Sequence, residues 1–219
     1  MASEPVATAE VTTPNLELVF NKDNPSNCIL TPSNGSGPCY SAVAKLRGED
    51  MITTYRKSQS GSTDDWESTP IIGSLEWREV FSDKLALAGK PLVSSGKILK
   101  KKMFSTTVSF SDDQGRKYEW RGYGAGLQMV LFEKDGKDGI AGFKKSRLNH
   151  ASGVVTPAVL TLSPRAVEII DLVIVTFLVL EKQRRIDDNS SNNKADAMTS
   201  ADIGIGNVTG GNNIYGHGV

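Results

Sequence analysis

The run GYGAG, Gly122 to Gly126, has the composition of a loop that cradles a dinucleotide pyrophosphate. That chemistry needs a helix to begin directly after the glycines, so that its free N–H groups and dipole meet the phosphates. Here LQMVLFE follows, a strand-like run, so the glycines are expected to form a bend between two strands. GKILKKK lacks the first glycine and the Ser or Thr of a phosphate-binding P-loop. Glu168 and Asp171 lie three residues apart on one face of a helix, where two carboxylates could divide acid and base work. Such residues more often accept hydrogen bonds or complement the dipole at a helix start. The only histidines are His150 and His217, and the only cysteines, Cys28 and Cys39, have no histidine nearby. No catalytic constellation, metal site or cofactor is therefore expected, and the reading is non-enzymatic. An enzyme with an unrecognised site would need a deep polar pocket with perturbed titratable groups.

The remaining candidates are basic. Lys97 and Lys100, Lys101 and Lys102 form one cluster; Lys144, Lys145 and Arg147 a second; Lys182, Arg184 and Arg185 a third. Apolar neighbours accompany them, among them Ile98, Leu99, Met103, Phe143 and Leu148. Near an anionic bilayer each cation adds about 1 kcal/mol of attraction, so the candidate lipid-binding residues are Lys100, Lys101, Lys102, Lys144, Lys145 and Arg147. The competing reading is that they are solvated strand ends guarding sheet edges.

The formal charge is zero over 219 residues, but it is unevenly spread. Residues 187–219 hold Lys194 against Asp187, Asp188, Asp196 and Asp202, a sum of −3, and residues 1–15 hold Glu4 and Glu10, a sum of −2. The stretch between carries the balancing +5, too little for a dedicated nucleic-acid binder.

The elements that must position these residues are mostly strands. In MFSTTVSF, Phe104, Thr106, Val108 and Phe110 alternate with Ser105, Thr107 and Ser109; in KYEWRGY, Tyr118 and Trp120 alternate with Lys117, Glu119 and Arg121. Leu75 and Trp77 alternate with Glu76 and Arg78 in the same way. This period of two marks strands with one face buried and the other in water. Turn signals such as TPSNGSGP, RGED, AGKP, DDQG and KDGKDG separate roughly twelve candidate strands between Leu16 and Leu162. Many short, closely punctuated strands predict a mainly β, antiparallel, many-stranded barrel.

From Ser163 the pattern changes. Ser163 suits a helix N-cap and Pro164 the first helical position; basic residues close the run at Lys182, Arg184 and Arg185. One helix is predicted over about 164–185. From Leu172 to Leu180 it is apolar on all sides apart from Thr176, so it must be enclosed, and a closed barrel is the enclosure available. A tail anchor is the rival. Fourteen apolar residues cover about 21 Å of a hydrocarbon core about 30 Å thick, and Glu168 and Asp171 would be costly in lipid. No transmembrane span is expected. The N-terminus shows no secretory leader and the thiols read as free, which places the chain in the cytoplasm, peripherally at the cytosolic membrane face where the basic clusters act. Three glycosylation sequons, at Asn34, Asn189 and Asn207, are then coincidental. Residues 1–15 and 187–219 read as disordered tails around a single domain at 16–186.

LELVFNKDNP, IIGSLEWR, FSTTVSFSDDQGRKYEWRGYG and IIDLVIVTFLVLEKQRR together resemble an uncharacterised, basidiomycete-type fungal family of unknown function. Its D-G-R-x-Y-x-W block is matched by Asp113, Gly115, Arg116, Tyr118 and Trp120, with Gln114 inserted. Its closing D-x-I-x-x-T-F-x-x-x-E-K-x-R helix is matched by Asp171, Thr176, Phe177, Glu181, Lys182 and Arg184, with Val173 in the Ile place. The resemblance implies that Asp171, Thr176, Phe177 and Glu181 are structural helix positions, and it supplies no activity. The layout is also similar to tubby and phospholipid-scramblase-like barrels, which implies a phosphoinositide-binding surface by analogy of fold. The expectation is thus a binding or scaffold module whose partner is anionic phospholipid; the alternative is a protein-interaction module with a regulatory tail.

Overall fold

In the computed structural model the chain is described at residues 15–59, 65–78, 82–103, 105–124 and 126–203, with side chains to residue 190. Phe104 and the first fourteen residues of the predicted N-terminal tail lie outside the described residues. Among those described, the strands are β1 (Leu16–Phe20), β2 (Asn27–Pro32), β3 (Cys39–Arg47), β4 (Asp50–Ser58), β5 (Ile71–Trp77), β6 (Lys84–Leu87) and β7 (Val93–Ser94). One helical turn, α1 (Ser95–Ile98), precedes β8 (Lys100–Lys101), β9 (Thr107–Ser111), β10 (Lys117–Arg121), β11 (Val130–Glu133), β12 (Gly139–Lys144), β13 (Arg147–Leu148), β14 (Val155–Thr156) and β15 (Val159–Leu162). Two helices end the described chain, α2 (Pro164–Val167) and α3 (Ile170–Ile203).

Thirteen of the fifteen strands form one antiparallel sheet in the order β7-β6-β5-β4-β3-β2-β1-β15-β12-β11-β10-β9-β8. The two edges, β7 and β8, are therefore neighbours in the chain, joined only through α1 and Leu99. An ion pair between Lys90, in the β6–β7 turn, and Asp113, in the β9–β10 turn, spans the same gap. The predicted alternation holds within β9 and β10, where Val108, Phe110, Tyr118 and Trp120 are buried and Thr107, Ser109, Lys117, Glu119 and Arg121 are not. Thr106, ahead of β9, is exposed rather than sharing the buried face. Gly122 opens a bend, at φ +81°, between the antiparallel β10 and β11. A Cβ at Gly122 would also stand 2.1 Å from the Gln128 carbonyl oxygen, so no other residue fits.

The core is α3. Val173 to Leu180 are all 2% exposed or less, more than two full turns with no solvent-facing side. Strands touch this segment from several directions. Phe177 packs against Phe20 of β1, Trp120 of β10 and Phe143 of β12, with ring centroids 6.3, 5.7 and 4.7 Å away. Val175 approaches β5 so closely that a Cβ on Gly73 would lie 3.0 Å from its methyl groups. Thr176, the one polar residue in the segment, accepts from the Trp120 indole at 3.0 Å and donates to the Leu172 carbonyl at 2.8 Å. The enclosure expected from an all-round apolar helix is present, with Leu172 only partly buried at its start.

Three expectations differ from what is found. The main sheet has thirteen strands rather than about twelve, because β7 and β8 are two-residue edge pairings too short to show a period. The single helix over 164–185 is broken after α2: Ser163 caps the first turn, accepting from the Ala166 N–H, and Glu168 and Ile169 turn the chain before α3 starts. Finally, α3 runs on to Ile203, through residues expected to form a disordered tail. Arg184 and Asp188, one turn apart and ion-paired, carry the helix past the sheet.

Candidate functional site

The helix gives the sheet two ends: a proximal end around α2 and Asp171, and a distal end where Arg185 leaves the sheet. Side chains that could do chemistry gather at both.

At the proximal end a cleft of about 490 Å³ opens beside the first turn of α3. Ile72, Leu87, Val167 and Leu172 contribute apolar lining, and Lys57, Arg116, Asp112 and Asp171 charged lining. Both members of the Glu168/Asp171 pair border it, each tied to cations. Asp171 accepts from Lys57 at 2.8 Å and from the Tyr40 hydroxyl at 3.1 Å. Burial, then the Asp171 charge, pushes the Tyr40 hydroxyl upward, so it stays a proton donor to that carboxylate. Glu168 pairs with Arg165 and lies 3.5 Å from Arg116. Asp112 accepts from its own turn, from the backbone N–H of Gln114 and of Arg116, as well as from the Arg116 guanidinium. Burial opposes its charge, but those hydrogen bonds outweigh it and hold the carboxyl below the usual aspartate value. The paired carboxylates are thus positioned as dipole and ion-pair partners.

The distal end is organised by Glu181. Its carboxylate, 1% exposed, accepts from Arg184 at 2.9 and 2.8 Å and from Arg185 at 2.7 Å. Arg185 also donates to the Asp23 carbonyl at 2.7 Å and pairs with the Asp23 carboxylate in the β1–β2 turn. Asp23 in turn accepts from the Ser146 N–H at 2.9 Å and its hydroxyl at 2.7 Å, which fixes the loop after β12. Burial opposes the Asp23 charge; the Arg185 and Ser146 hydrogen bonds prevail and lower its carboxyl below the ordinary value. Lys182 lies over the Trp77 ring at 4.8 Å, its ammonium lowered by burial against the pull of Asp83.

The six candidate lipid-binding residues, Lys100, Lys101, Lys102, Lys144, Lys145 and Arg147, are all exposed. Both clusters sit at the distal end. Lys101 lies 4.4 Å over the Tyr123 ring, and the Tyr123 hydroxyl donates to Asp187, just past the buried part of α3. The second cluster flanks Ser146, whose link to Asp23 and Arg185 ends at the same turn of the helix. The clusters are not adjacent: β8 and β12 are four places apart in the sheet, roughly 19 Å at the usual strand spacing. The third basic cluster is different. Arg184 and Lys182 are buried and Arg185 is committed to Glu181 and Asp23, because the sheet reaches beyond the apolar part of the helix.

Sequence reasoning missed the proximal cleft and the Asp23–Ser146 link, whose partners are 123 residues apart. Asp171, Thr176 and Phe177 each occupy a contact point between helix and sheet, whereas Glu181 pairs within the helix, with Arg184 and Arg185. Cys28 and Cys39 are buried free thiols. Among the described residues no group of His, Cys, Asp and Glu could hold a metal ion, and no helix is long and apolar enough to cross a membrane.

A large antiparallel sheet carrying a buried C-terminal helix defines a β-rich domain. This chain belongs to the Family of unknown function (DUF6593), whose profile matches residues 23–186. The matched region ends one residue past Arg185, where α3 leaves the sheet. Neither a curated protein nor a solved structure matches the chain.

Proposed function

We propose that this protein is a non-enzymatic attachment module of the tubby and scramblase-like kind, a closed barrel that binds anionic phospholipid peripherally at the cytosolic membrane face through its distal end. Closure is supported by the adjacency of β7 and β8 in the chain and by the Lys90–Asp113 pair across their gap. The non-enzymatic reading is supported by the proximal cleft, where each charged side chain has an opposite partner.

The observation that carries the membrane reading is the placement of Lys100–Lys102 and Lys144–Arg147, far apart in sequence, at one end of the sheet. Several acidic groups at that end are already engaged, Asp23 by Arg185, Asp187 by Tyr123 and Asp188 by Arg184. Six cations at about 1 kcal/mol each supply roughly 6 kcal/mol at low salt, enough for reversible attachment. Their spread over a separation larger than the Debye length, about 8 Å at physiological salt, suits a charged surface rather than one headgroup.

Co-sedimentation with phosphatidylcholine vesicles, with and without phosphatidylserine or a phosphoinositide, tests it. Pelleting should require the anionic lipid, fall with salt, and fall on the order of a hundredfold in affinity when either cluster is changed to Glu. Equal pelleting with neutral vesicles, or no loss in those variants, overturns the proposal.

A further inference from the structure

The chain between the two halves of the distal end makes a small sheet of its own. β13 and β14 pair only with each other, Arg147 opposite Thr156 and Leu148 opposite Val155. The tip is tightly built: the Asn149 N–H donates to the Val154 carbonyl at 2.9 Å and the Gly153 N–H to the Asn149 carbonyl at 2.8 Å. The Asn149 side chain also accepts from the Ala151 N–H at 3.0 Å. The base is fixed by Ser146 on Asp23. A preformed hairpin therefore stands on a rigid foot.

Its composition is unusual for a solvated tip. Leu148 is 51% exposed and Val154 and Val155 are each 60% exposed. Leu148 and Val155 are cross-strand partners, so their side chains share one face of the hairpin. Scattered aliphatic residues on a surface need no explanation, but three on one short hairpin do. No acidic residue occurs from Gly139 to Val167, while Lys144, Lys145, Arg147 and Arg165 do. An apolar face fed by cations, on a segment with no carboxylate of its own and with Asp23 at its foot paired to Arg185, complements an anionic lipid interface, where the aliphatic groups enter the acyl boundary and the cations stay among the phosphates.

We propose that the β13–β14 hairpin is a lipid-inserting finger, which places Leu148, Val154 and Val155 below the headgroups of an anionic bilayer. This rests on the membrane reading above and adds to it an apolar contact that salt does not screen. It predicts a residue of binding that survives high salt. Replacing Leu148 and Val155 with Ser, both at exposed positions, should leave thermal unfolding unchanged and reduce vesicle affinity on the order of tenfold.

The direct test uses the full chain carrying Leu148→Trp, with Val155→Trp as a second variant and the emission of the wild-type tryptophans subtracted. On adding vesicles that contain phosphatidylserine, the new emission should shift to the blue and be quenched by brominated acyl chains. Pelleting without shift or quenching overturns the finger and leaves the electrostatic attachment standing. No pelleting with any vesicle overturns both. A concentration-dependent dimer that buries the new tryptophan in the absence of lipid also overturns it, since the face would then belong to a second copy.

Discussion

Glu181→Gln probes the enclosure of the helix at its most sensitive point. The carboxylate is 1% exposed and accepts three charge-assisted hydrogen bonds from Arg184 and Arg185, at 2.7 to 2.9 Å. Gln offers one carbonyl oxygen to those donors and turns an NH2 group toward a guanidinium. Arg184, 4% exposed, keeps only Asp188 at 3.2 Å, and Arg185 keeps Asp23. Removing one partner of a buried ion pair costs about 3–5 kcal/mol, because the other charge stays desolvated. For a domain of this length that lowers Tm by roughly 6–20 °C, read by circular dichroism and by the urea midpoint at constant m. The control is Glu67→Gln, which breaks the exposed Lys45–Glu67 pair and should cost about 0–1 kcal/mol. Glu181→Leu with Arg184→Leu should be more stable than Glu181→Leu alone, since no charge is stranded. If Glu181→Gln and Glu67→Gln cost the same, the distal end of the helix is wet and the enclosure argument fails there.

Three further outcomes are expected. Phe177→Ala removes a ring that touches Phe20, Trp120 and Phe143 and should cost about 3–5 kcal/mol in chemical unfolding. Asp23 has a folded value below 3.8, so its contribution is complete above that value and is lost as pH falls through the lower one. Stability of Asp23→Asn measured from about pH 5 downward should therefore fall less steeply than that of the wild type. Cys28, pushed up to about 12 chiefly by burial, should resist iodoacetamide at about pH 8 in the native protein and react in urea, as mass spectrometry would show.

Much of this architecture is legible in the sequence where a single periodicity is decisive. Tyr118 and Trp120 alternate with charged residues because one face of β10 meets α3 and the other meets water. The run from Leu172 to Leu180 has no polar face, and it lies where only an enclosed helix can lie. What stayed hidden depends on depth and on distance along the chain. Lys182 and Arg184 read as surface charges because nothing local says that the sheet outreaches the apolar segment; Glu181 neutralises what the sheet covers. Asp23 and Ser146 look like ordinary turn residues, and only the pairing of β1 with β15 and of β15 with β12 brings them together. The two-residue break before Ile170 and the run of α3 through an Asn- and Ser-rich stretch leave no periodic mark. The clusters proposed for lipid were legible as clusters, and their shared end of the sheet was not.

That the last described element supplies the core has a consequence for folding. Val173, Ile174, Val175, Phe177, Leu178, Val179 and Leu180 are buried inside strands that all precede them. At about 1.5–3 kcal/mol for each side chain, their burial contributes roughly 10–20 kcal/mol, as large as the net stability of an ordinary domain. Without α3 the sheet would leave the face that packs on the helix uncovered, with the rings of Phe20, Trp120 and Phe143 facing water. A chain ending at Ser163 should then show no cooperative unfolding transition and should aggregate, although it keeps all fifteen strands. A peptide of residues 164–190 added in trans should restore a sigmoidal melt, in proportion to its concentration. A truncated chain that melts cooperatively without the peptide would mean that the sheet has a core of its own, and the helix would then be an accessory to it.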